Sequence, residues 1–385
     1  MIALEQKVVI NAKIYTGEGI IDNGFLRIEG EKILETGSMN VYQSNPNVEE
    51  IDASGKLVIP GMIDVHIHGG YGVDVMDADP EKLVFLSEQL LKEGVTSFFA
   101  TTITQDYPAI EVALKSVKVA KESGRTTIEG VHLEGPFISE KRAGAQPLEF
   151  ISDPDIELFL KWHHASGDQI KLVTYAPEKN GAREFENIMI ENGIVPSMGH
   201  TDAVRAELLE SKTTHATHLY NGMRGLHHRE AGVAGHALLS SHIQAEVIGD
   251  GIHIHPDMVN LTYKIKGAKG IVLISDAMRA KGLPDGESEL GGQKVIVKDG
   301  ECRLENGSLA GSILTMDQAF RNIIHFTGCS IEEAVQMSSG NQAKEFGLQH
   351  KGFLKKGLDA DFVIMNQNLQ VEETYHLGKQ YRRGE

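Results

Sequence analysis

The sequence predicts an α/β fold, namely a (β/α)8 TIM-like barrel with a small β-sandwich domain built from both chain termini. Two observations lead to this class. Short apolar runs alternate with helical patterns through the middle of the chain, which is typical of βα units. Histidines and carboxylates follow several of these runs, and such scattered residues meet in space where parallel strands end in one barrel mouth.

The two ends of the chain carry strand patterns. The first part contains VVINAKIYT, GFLRIEGEKILETG and VEEIDASGKLVIP, which alternate apolar and polar residues and break at Asn, Gly and Pro. The closing segment GFLKKGLDADFVIMNQNLQVEETYHLGKQY has the same character. Because chain termini often lie close together, we expect residues 1–58 and 353–385 to form the β-sandwich domain, with the barrel over 59–352.

Helical patterns separate the apolar runs. In PEKLVFLSEQLLKEG, Pro80 opens the predicted helix, leucines recur on one face and Gly94 closes it. Similar patterns predict helices in YPAIEVALKSVKVAKESG, DAVRAELLES, PDMVNLTYKIKG and LTMDQAFRNIIHFTG. The polar, Gly-rich segment 282–309 predicts a loop or hairpin after the last barrel strand.

Composition narrows the function classes. The 385 residues include 37 basic and 54 acidic side chains, a formal net charge of −17, and no basic run, which argues against nucleic acid as a partner. No apolar run reaches the roughly 20 residues that span a bilayer, so we expect no membrane partner. The N-terminus lacks a secretory signal pattern. Two cysteines, Cys302 and Cys329, fit a reducing compartment, and we expect the cytoplasm.

Five side chains are candidate metal ligands: His66, His68, Glu134, His200 and His218. His66 and His68 are two apart on a strand, so both point to the barrel interior. Alone, the pair would also fit hydrogen-bonded interior histidines, and Glu134 would fit a salt-bridged glutamate. Nitrogen and oxygen ligands from several strand ends, without cysteine, favour a divalent ion such as Zn²⁺ or Fe²⁺.

Asp276, in LISDAM, ends the eighth barrel strand and is the candidate general acid and base. A carboxylate beside a divalent ion can take a proton from an activated water and return it to a leaving nitrogen. The motif would also fit a helix N-cap, but its place at a strand end favours catalysis. His215 is expected to point away from the ligands, in a structural or supporting role.

The loop after the sixth strand is a candidate anion site. It leads into a helix, and backbone N–H groups at a helix start bind phosphate well when Arg and His lie nearby. A solvated basic turn is the alternative. The loop residues are Asn221, Gly222, His227, His228 and Arg229. Further substrate contacts are expected from His253 in DGIHIHP and from Leu309 and Ala310 in LAGSILTM.

In this order the motifs resemble the amidohydrolase superfamily, and most closely its N-acetylglucosamine-6-phosphate deacetylase family. The resemblance covers essentially the whole chain through PGMIDVHIHG, HLEGPF, APE, MGHTDA, ATHLYNGM, REAG, DGIHI, SDAM and LAGS. The closing KGLDADFVIMN resembles the return to the β-sandwich of the superfamily. The resemblance implies removal of acetate from the amide nitrogen of N-acetylglucosamine-6-phosphate, in amino-sugar catabolism and recycling.

The resemblance also implies where ions would be held. One ion would lie at Glu134, His200 and His218, and a second at His66 and His68 with Glu134 as the bridge. Asp276 would be the acid and base.

For the substrate, the resemblance implies that Arg229 and either His227 or His253 contact phosphate or sugar hydroxyls. Asn221 and Gly222 would offer backbone donors. In this family the phosphate-binding arginine can come from the neighbouring subunit. That implies a homodimer in which Arg229 reaches the site of the neighbouring subunit.

This chain differs from the single-ion members of the family. Those members lack the His-x-His pair and carry a histidine twelve residues beyond the glutamate, where this chain has Gln146. Here both histidines are present, and a second cation can supply the polarisation that the missing histidine would give. We therefore expect two divalent ions per subunit, Zn or Fe, with Gln146 beside the substrate.

Two alternatives stay open from the sequence. A dihydroorotase-like or dipeptidase-like amidohydrolase would act on a cyclic amide or a peptide, and many such relatives use a carboxylated lysine on strand four. IKLVTYAPE has only Lys171, at its start, which counts against them. A catalytically silent barrel that binds a metal or a sugar phosphate is the other alternative, and the full ligand set with Asp276 argues against it.

Overall fold

The computed structural model of the chain describes residues 5–382. Its strands, in chain order, are β1 (Gln6–Tyr15), β2 (Ile20–Glu29), β3 (Lys32–Ser38), β4 (Glu49–Asp52), β5 (Leu57–Pro60), β6 (Met62–Ile67), β7 (Gly69–Gly70), β8 (Val73–Asp74), β9 (Val95–Thr101), β10 (Ile128–Glu134), β11 (Ile170–Tyr175), β12 (Val195–Met198), β13 (His215–Ala216), β14 (Gln244–Ile248), β15 (Ile271–Ile274), β16 (Gly286–Leu290), β17 (Gln293–Lys298), β18 (Glu301–Leu304), β19 (Phe362–Met365), β20 (Val371–His376) and β21 (Lys379–Arg382). Its α-helices are α1 (Pro80–Leu91), α2 (Tyr107–Glu122), α3 (Ile156–Ala165), α4 (Ala182–Glu191), α5 (Arg205–Leu208), α6 (Gly232–Leu239), α7 (Pro256–Lys266), α8 (Met316–Thr327), α9 (Ile331–Val335) and α10 (Asn341–Glu345). Over this range, none of the helices has the length and apolar character needed to cross a membrane.

An eight-stranded barrel occupies the middle of the chain. Its strands are ordered β6-β9-β10-β11-β12-β13-β14-β15, with parallel pairing from β9 to β15. The sheet closes just beyond β15, where the Asp276 amide donates to the His66 carbonyl at 2.9 Å and the His68 amide to the Ala277 carbonyl at 2.9 Å. The predicted α/β barrel is confirmed, and its closure brings the first and last strands together.

Strands from both chain ends form a second, eight-stranded sheet. Its order is β21-β20-β19-β5-β1-β2-β3, with β4 paired to β1. The N-terminal part meets the C-terminal part where β5 runs antiparallel to β19, with Pro60 opposite Phe362. The fully buried Phe362 ring stacks on Tyr375 with centroids 4.3 Å apart. A β unit built from both termini was predicted, and this sheet confirms it.

Contacts divide the chain into two compact units. One contains the chain up to Ile63, Glu88–Ser97 and the chain from Met316 onward, and its core includes the terminal sheet. The other contains Asp64–Ser87 and Phe98–Thr315, which include all the candidate site residues. The domain boundaries expected from the sequence stay a prediction.

Two segments refine the predicted element pattern. The polar stretch after β15 forms the antiparallel sheet β16-β17-β18, in line with the expected hairpin. DAVRAELLES was predicted to be helical throughout, but only α5 is a helix there. Its first residues are held outside the helix because Glu178 accepts the amide of Asp202 at 2.6 Å and the Asp202 carboxylate accepts from Arg224 at 2.6 Å.

The ring stack in the terminal sheet predicts a large stability effect. Phe362→Ala removes a buried ring and should lower the free energy of unfolding by about 3–5 kcal/mol. Phe85→Ala, at a position 43% exposed, is the matched control and should lower it much less. Urea unfolding of both variants measures the difference. Equal losses would show that the Phe362 ring adds nothing through its packing.

Candidate active site in the barrel mouth

The chemistry-bearing side chains lie at the carboxyl ends of barrel strands. His66 lies near the end of β6 and Glu134 ends β10, while His200, His218 and Asp276 each lie two residues beyond a strand. The last three have positive φ angles, of 46°, 28° and 49°. A non-glycine residue in such a conformation costs about 1–3 kcal/mol and persists where the surrounding structure demands it, often at functional sites.

Glu134 is the centre of the cluster and is 2% exposed. Its Oε1 lies 3.2 Å from His200 Nε2 and 3.1 Å from His218 Nε2. The same oxygen is 3.6 Å from His66 Nε2, and Oε2 is 3.3 Å from His68 Nε2. Four histidines from three separate parts of the sequence therefore converge on the Glu134 carboxylate.

The spacing of these atoms fits a divalent cation. His200 Nε2 and His218 Nε2 lie 3.1 Å apart. At this distance the two nitrogens can share at most one proton. Ligands that bind Zn²⁺ tetrahedrally at about 2.0–2.1 Å lie about 3.3 Å from one another. Moreover, His66 Nε2 is buried and has no hydrogen-bond partner among the described residues, although it faces Glu134.

Two groups of three ligand atoms share Glu134. One group is Glu134 with His200 and His218, and the other is Glu134 with His66 and His68. Both groups are buried. Each group offers two imidazole nitrogens and a carboxylate oxygen, a set of donors that suits a divalent cation.

The charges of the cluster favour a cation. Burial opposes ionisation of Glu134, but the neighbouring charge of His66 and hydrogen bonds from His200 and His218 hold its pKa well below the usual range. Burial likewise opposes protonation of His66, but Glu246, Asp276 and Glu134 together raise its pKa to about 9. The carboxylates thus attract positive charge to this point, as protons when no metal is bound.

Asp276 lies beside the His66 and His68 half of the cluster. Its Oδ1 is 3.5 Å from His66 Nε2 and 3.4 Å from His68 Nε2. Burial opposes its ionisation, but the charge of His66 and a hydrogen bond from His68 lower its pKa. Asp276 is therefore an ionised carboxylate, 7% exposed, at the floor of the barrel mouth.

Two supporting contacts could not be placed from the sequence. Gln146 donates from Nε2 to Glu134 Oε2 at 2.7 Å and accepts the Thr104 amide at 2.9 Å, so it orients the central carboxylate. Glu246, in the middle of β14, accepts from His66 Nδ1 at 2.9 Å and His215 Nε2 at 3.1 Å. The signal for Glu246 was present, as a carboxylate inside the apolar run AEVIGDG, but its partners depend on the barrel.

A cavity of about 380 Å³ opens above the cluster. Of the residues expected at the substrate, Gln146, Asn221, Gly222, His253 and Leu309 line it. Ala310 does not; it is buried, and its amide donates to the Cys302 carbonyl at 2.9 Å.

The loop positions His227 and Arg229 lie outside the cavity and are exposed. Arg229 instead contacts His228 Nε2 at 2.7 Å. Arg303, on β18, lines the cavity and was missed, because nothing in the sequence places the hairpin beside the barrel mouth.

Gly222 has a steric role at the site. Its φ is 54°, and a Cβ there would lie 2.8 Å from His200 Nδ1. His200 Nδ1 also bonds the Arg142 carbonyl at 2.9 Å. Glycine at this position therefore leaves room for the His200 ring, in addition to lining the cavity.

Comparison with known proteins places this site in context. A family model described as the amidohydrolase family matches residues 57–380. N-acetylglucosamine-6-phosphate deacetylase of Lysinibacillus sphaericus is 46% identical over 337 residues, which cover 86% of this chain and 87% of that protein. The protein of the same name from Bacillus subtilis (strain 168) is 44% identical over 377 residues, covering 95% of each.

A solved structure is similar along almost the whole chain. It is a variant of N-acetyl-D-glucosamine-6-phosphate deacetylase from Mycobacterium smegmatis in complex with N-acetyl-D-glucosamine-6-phosphate. The TM-score is 0.92 and the identity 27%, with 98% of this chain and 99% of that chain covered.

The cluster predicts that divalent ions stabilise the folded chain. Adding Zn²⁺ to chelator-treated protein should raise the melting temperature, because a ligand at 100 times its Kd adds about 2.7 kcal/mol to the free energy of unfolding. Glu134→Gln should lose most of this shift. Glu186→Gln, a buried glutamate bonded to Tyr175, is the control and should keep it. A full Zn²⁺ shift in Glu134→Gln would exclude Glu134 as a ligand.

Proposed function

This chain belongs to the amidohydrolase family, and we propose that it hydrolyses the acetamide of N-acetylglucosamine-6-phosphate to glucosamine-6-phosphate and acetate. The reaction would serve amino-sugar catabolism and recycling, in the cytoplasm. The convergence of four histidines on Glu134, with Asp276 alongside and a cavity above, is the observation that carries the proposal. The named relatives, and the similar structure with bound substrate, support it over nearly the full chain.

The proposed cofactor is a pair of divalent ions, Zn or Fe. One would be held by Glu134, His200 and His218, and the other by Glu134, His66 and His68. Such ions supply Lewis acidity, which polarises the acetyl carbonyl and makes water a nucleophile near neutral pH.

Asp276 performs the proton transfers in this proposal. Its carboxylate accepts a proton as the water oxygen adds to the acetyl carbon. The C–N bond then breaks while Asp276 gives that proton to the departing amine nitrogen, and acetate is released. Glu134, which Gln146 holds by a 2.7 Å hydrogen bond, keeps the histidines in place during both steps.

The cavity walls would hold the sugar phosphate. His253 lines the cavity, and burial opposes its protonation, but its bond to Asp250, at 2.6 Å, raises its pKa. A protonated His253 is a donor for phosphate or sugar hydroxyls. Asn221, Gly222 and Leu309 would complete the contacts around the sugar.

Arg229 lies outside the cavity of its own chain, and we propose that it reaches the site of a neighbouring subunit in a homodimer. An exposed arginine on a loop at the edge of the barrel mouth fits phosphate recognition by bidentate hydrogen bonds. His227, which lies on the same loop, would contribute in the same way.

The site also bears on the other amidohydrolase reactions. Lys171 lies at the start of β11, with its Cγ against Gly130, and no lysine of residues 5–382 lines the cavity. Within the described range a carboxylated lysine therefore has no place at this site, and the Glu134 carboxylate lies between the two histidine pairs instead. This favours a sugar amide over the cyclic amides and peptides of the lysine-dependent relatives.

Acetate release from N-acetylglucosamine-6-phosphate tests the proposal, and Asp276→Asn is the variant that tests the mechanism. The wild type should release acetate, a chelator should abolish release, and Zn²⁺ or Fe²⁺ should restore it. Asp276→Asn should still bind the ions and the substrate but turn over about 10²–10⁴-fold more slowly, the usual effect of removing a general acid and base.

The controls separate the alternatives. Release from N-acetylglucosamine without phosphate should be much slower, whereas hydrolysis of dihydroorotate or a dipeptide in its place would identify a different amidohydrolase. Binding of sugar phosphate without any turnover would identify a silent binding protein. Near-normal rates in Asp276→Asn would remove Asp276 from the mechanism.

The dimer proposal has its own test. Arg229→Ala and Asp276→Asn should each be nearly inactive alone. Mixed heterodimers should recover activity, since the Arg229→Ala subunit keeps its aspartate and receives an arginine from the other subunit. Coexpression with two affinity tags isolates the heterodimer. If the heterodimers are as inactive as the two parent variants, Arg229 acts in the site of its own subunit or in neither site.

A further inference from the structure

We propose that Glu246 is a positioning residue that holds the His66 ring and the His218 turn in the geometry needed to bind both ions. The inference rests on the proposed two-ion site. Glu246 touches neither the cavity nor the proposed substrate contacts, and it is fully buried in the middle of β14.

Both carboxylate oxygens of Glu246 are occupied. Oε2 accepts from His66 Nδ1 at 2.9 Å and from the backbone amide of His218 at 2.9 Å. Oε1 lies 3.1 Å from His215 Nε2. A buried carboxylate is tolerated when it is satisfied in this way, and each of these partners is fixed by it in turn.

The first contact sets the state of His66. A carboxylate accepts hydrogen bonds, so Nδ1 carries a proton, and Nε2, which faces Glu134 and Asp276, is the nitrogen left to bind an ion. Metal-binding histidines generally donate their second nitrogen in this manner. His68 Nδ1 and His218 Nδ1 have no partner among the described residues, so His66 is the ligand whose ring a carboxylate orients.

The second contact holds the backbone of another ligand. His218 has a φ of 28°, an unusual conformation for a residue with a side chain. Glu246 binds two successive amides there, His218 through its side chain and Leu219 through its carbonyl at 2.9 Å. One residue therefore links His66, a member of one proposed ligand group, to His218, a member of the other.

A third ion is the alternative explanation, because His66, His132 and Glu246 also lie close enough to hold one. The 2.9 Å separation of His66 Nδ1 and Glu246 Oε2 is a hydrogen-bond distance. In addition, the Glu246 oxygens already accept from His215 and the His218 amide. These contacts favour positioning over coordination.

Two substitutions separate the effect of the position of the Glu246 carboxylate from the effect of its charge. Glu246→Asp keeps the charge but withdraws the carboxylate by one methylene from His66 and His218. Glu246→Gln keeps the reach, and its amide oxygen can still accept from both. We expect Glu246→Asp to weaken Zn²⁺ binding by about 10–100-fold, the usual cost of losing such a contact, and Glu246→Gln to weaken it less.

The measurement is competition for Zn²⁺ with chelators of graded strength, together with metal content per chain. Glu186→Gln is the matched control and should bind Zn²⁺ as the wild type does. Unchanged affinity in Glu246→Asp, or a larger loss in Glu246→Gln, would overturn the proposal. Three ions in the wild type and two in Glu246→Asp would also overturn it, in favour of coordination.

A second measurement does not depend on the Asp variant folding. In ¹⁵N spectra of the Zn²⁺-loaded wild type, His66 should carry its proton on Nδ1, and Glu246→Gln should shift that resonance. A proton on Nε2 would overturn the proposal.

Acetate release is assayed in parallel. If the wild type releases no acetate while Glu246→Asp still binds Zn²⁺ more weakly than the wild type, that result would refute the proposed reaction and leave the positioning role of Glu246 standing.

Discussion

Glu134 is a buried carboxylate surrounded by four imidazoles, and most features of the barrel mouth follow from holding that arrangement together. A buried charge is costly unless it is paired and hydrogen-bonded, so the histidines must lie close to the Glu134 carboxylate and stay there. The closed parallel sheet makes this possible because its strand ends converge. Gln146 holds one oxygen of Glu134, and the left-handed turns at His200 and His218 aim their rings at the other.

Support for the cluster also comes from side-chain and backbone groups that pack around its histidines. Glu246 satisfies one side of His66 and the turn at His218, and the Arg142 carbonyl bonds the other nitrogen of His200. Gly222 leaves space for the His200 ring. In the proposed metal site, such preorganisation would place the ligands before a cation arrives, so less conformational freedom would be lost on binding.

The cavity above the cluster combines one acidic floor with varied walls. Asp276 and Glu134 lie at the floor, while His253 and Arg303 reach the cavity from the loop after β14 and from the hairpin. The proposed divalent ions near the floor, together with donors on the walls, would suit an uncharged amide at one end of a substrate and an anion at the other. The strongly negative net charge of the chain is therefore compatible with an anionic substrate, since only local groups meet it.

The sequence by itself determined the barrel, the β unit from both termini and the residues at each strand end, because strand and helix periodicities are local and parallel strands bring their ends together. It therefore predicted that His66, His68, Glu134, His200 and His218 would converge. It did not indicate that Gln146 would bond Glu134, that Glu246 would bond His66 across 180 residues, or that Arg303 would reach the cavity. Those contacts were decided by the tertiary structure, since they depend on barrel closure, on loop paths and on rotamers that no local pattern encodes.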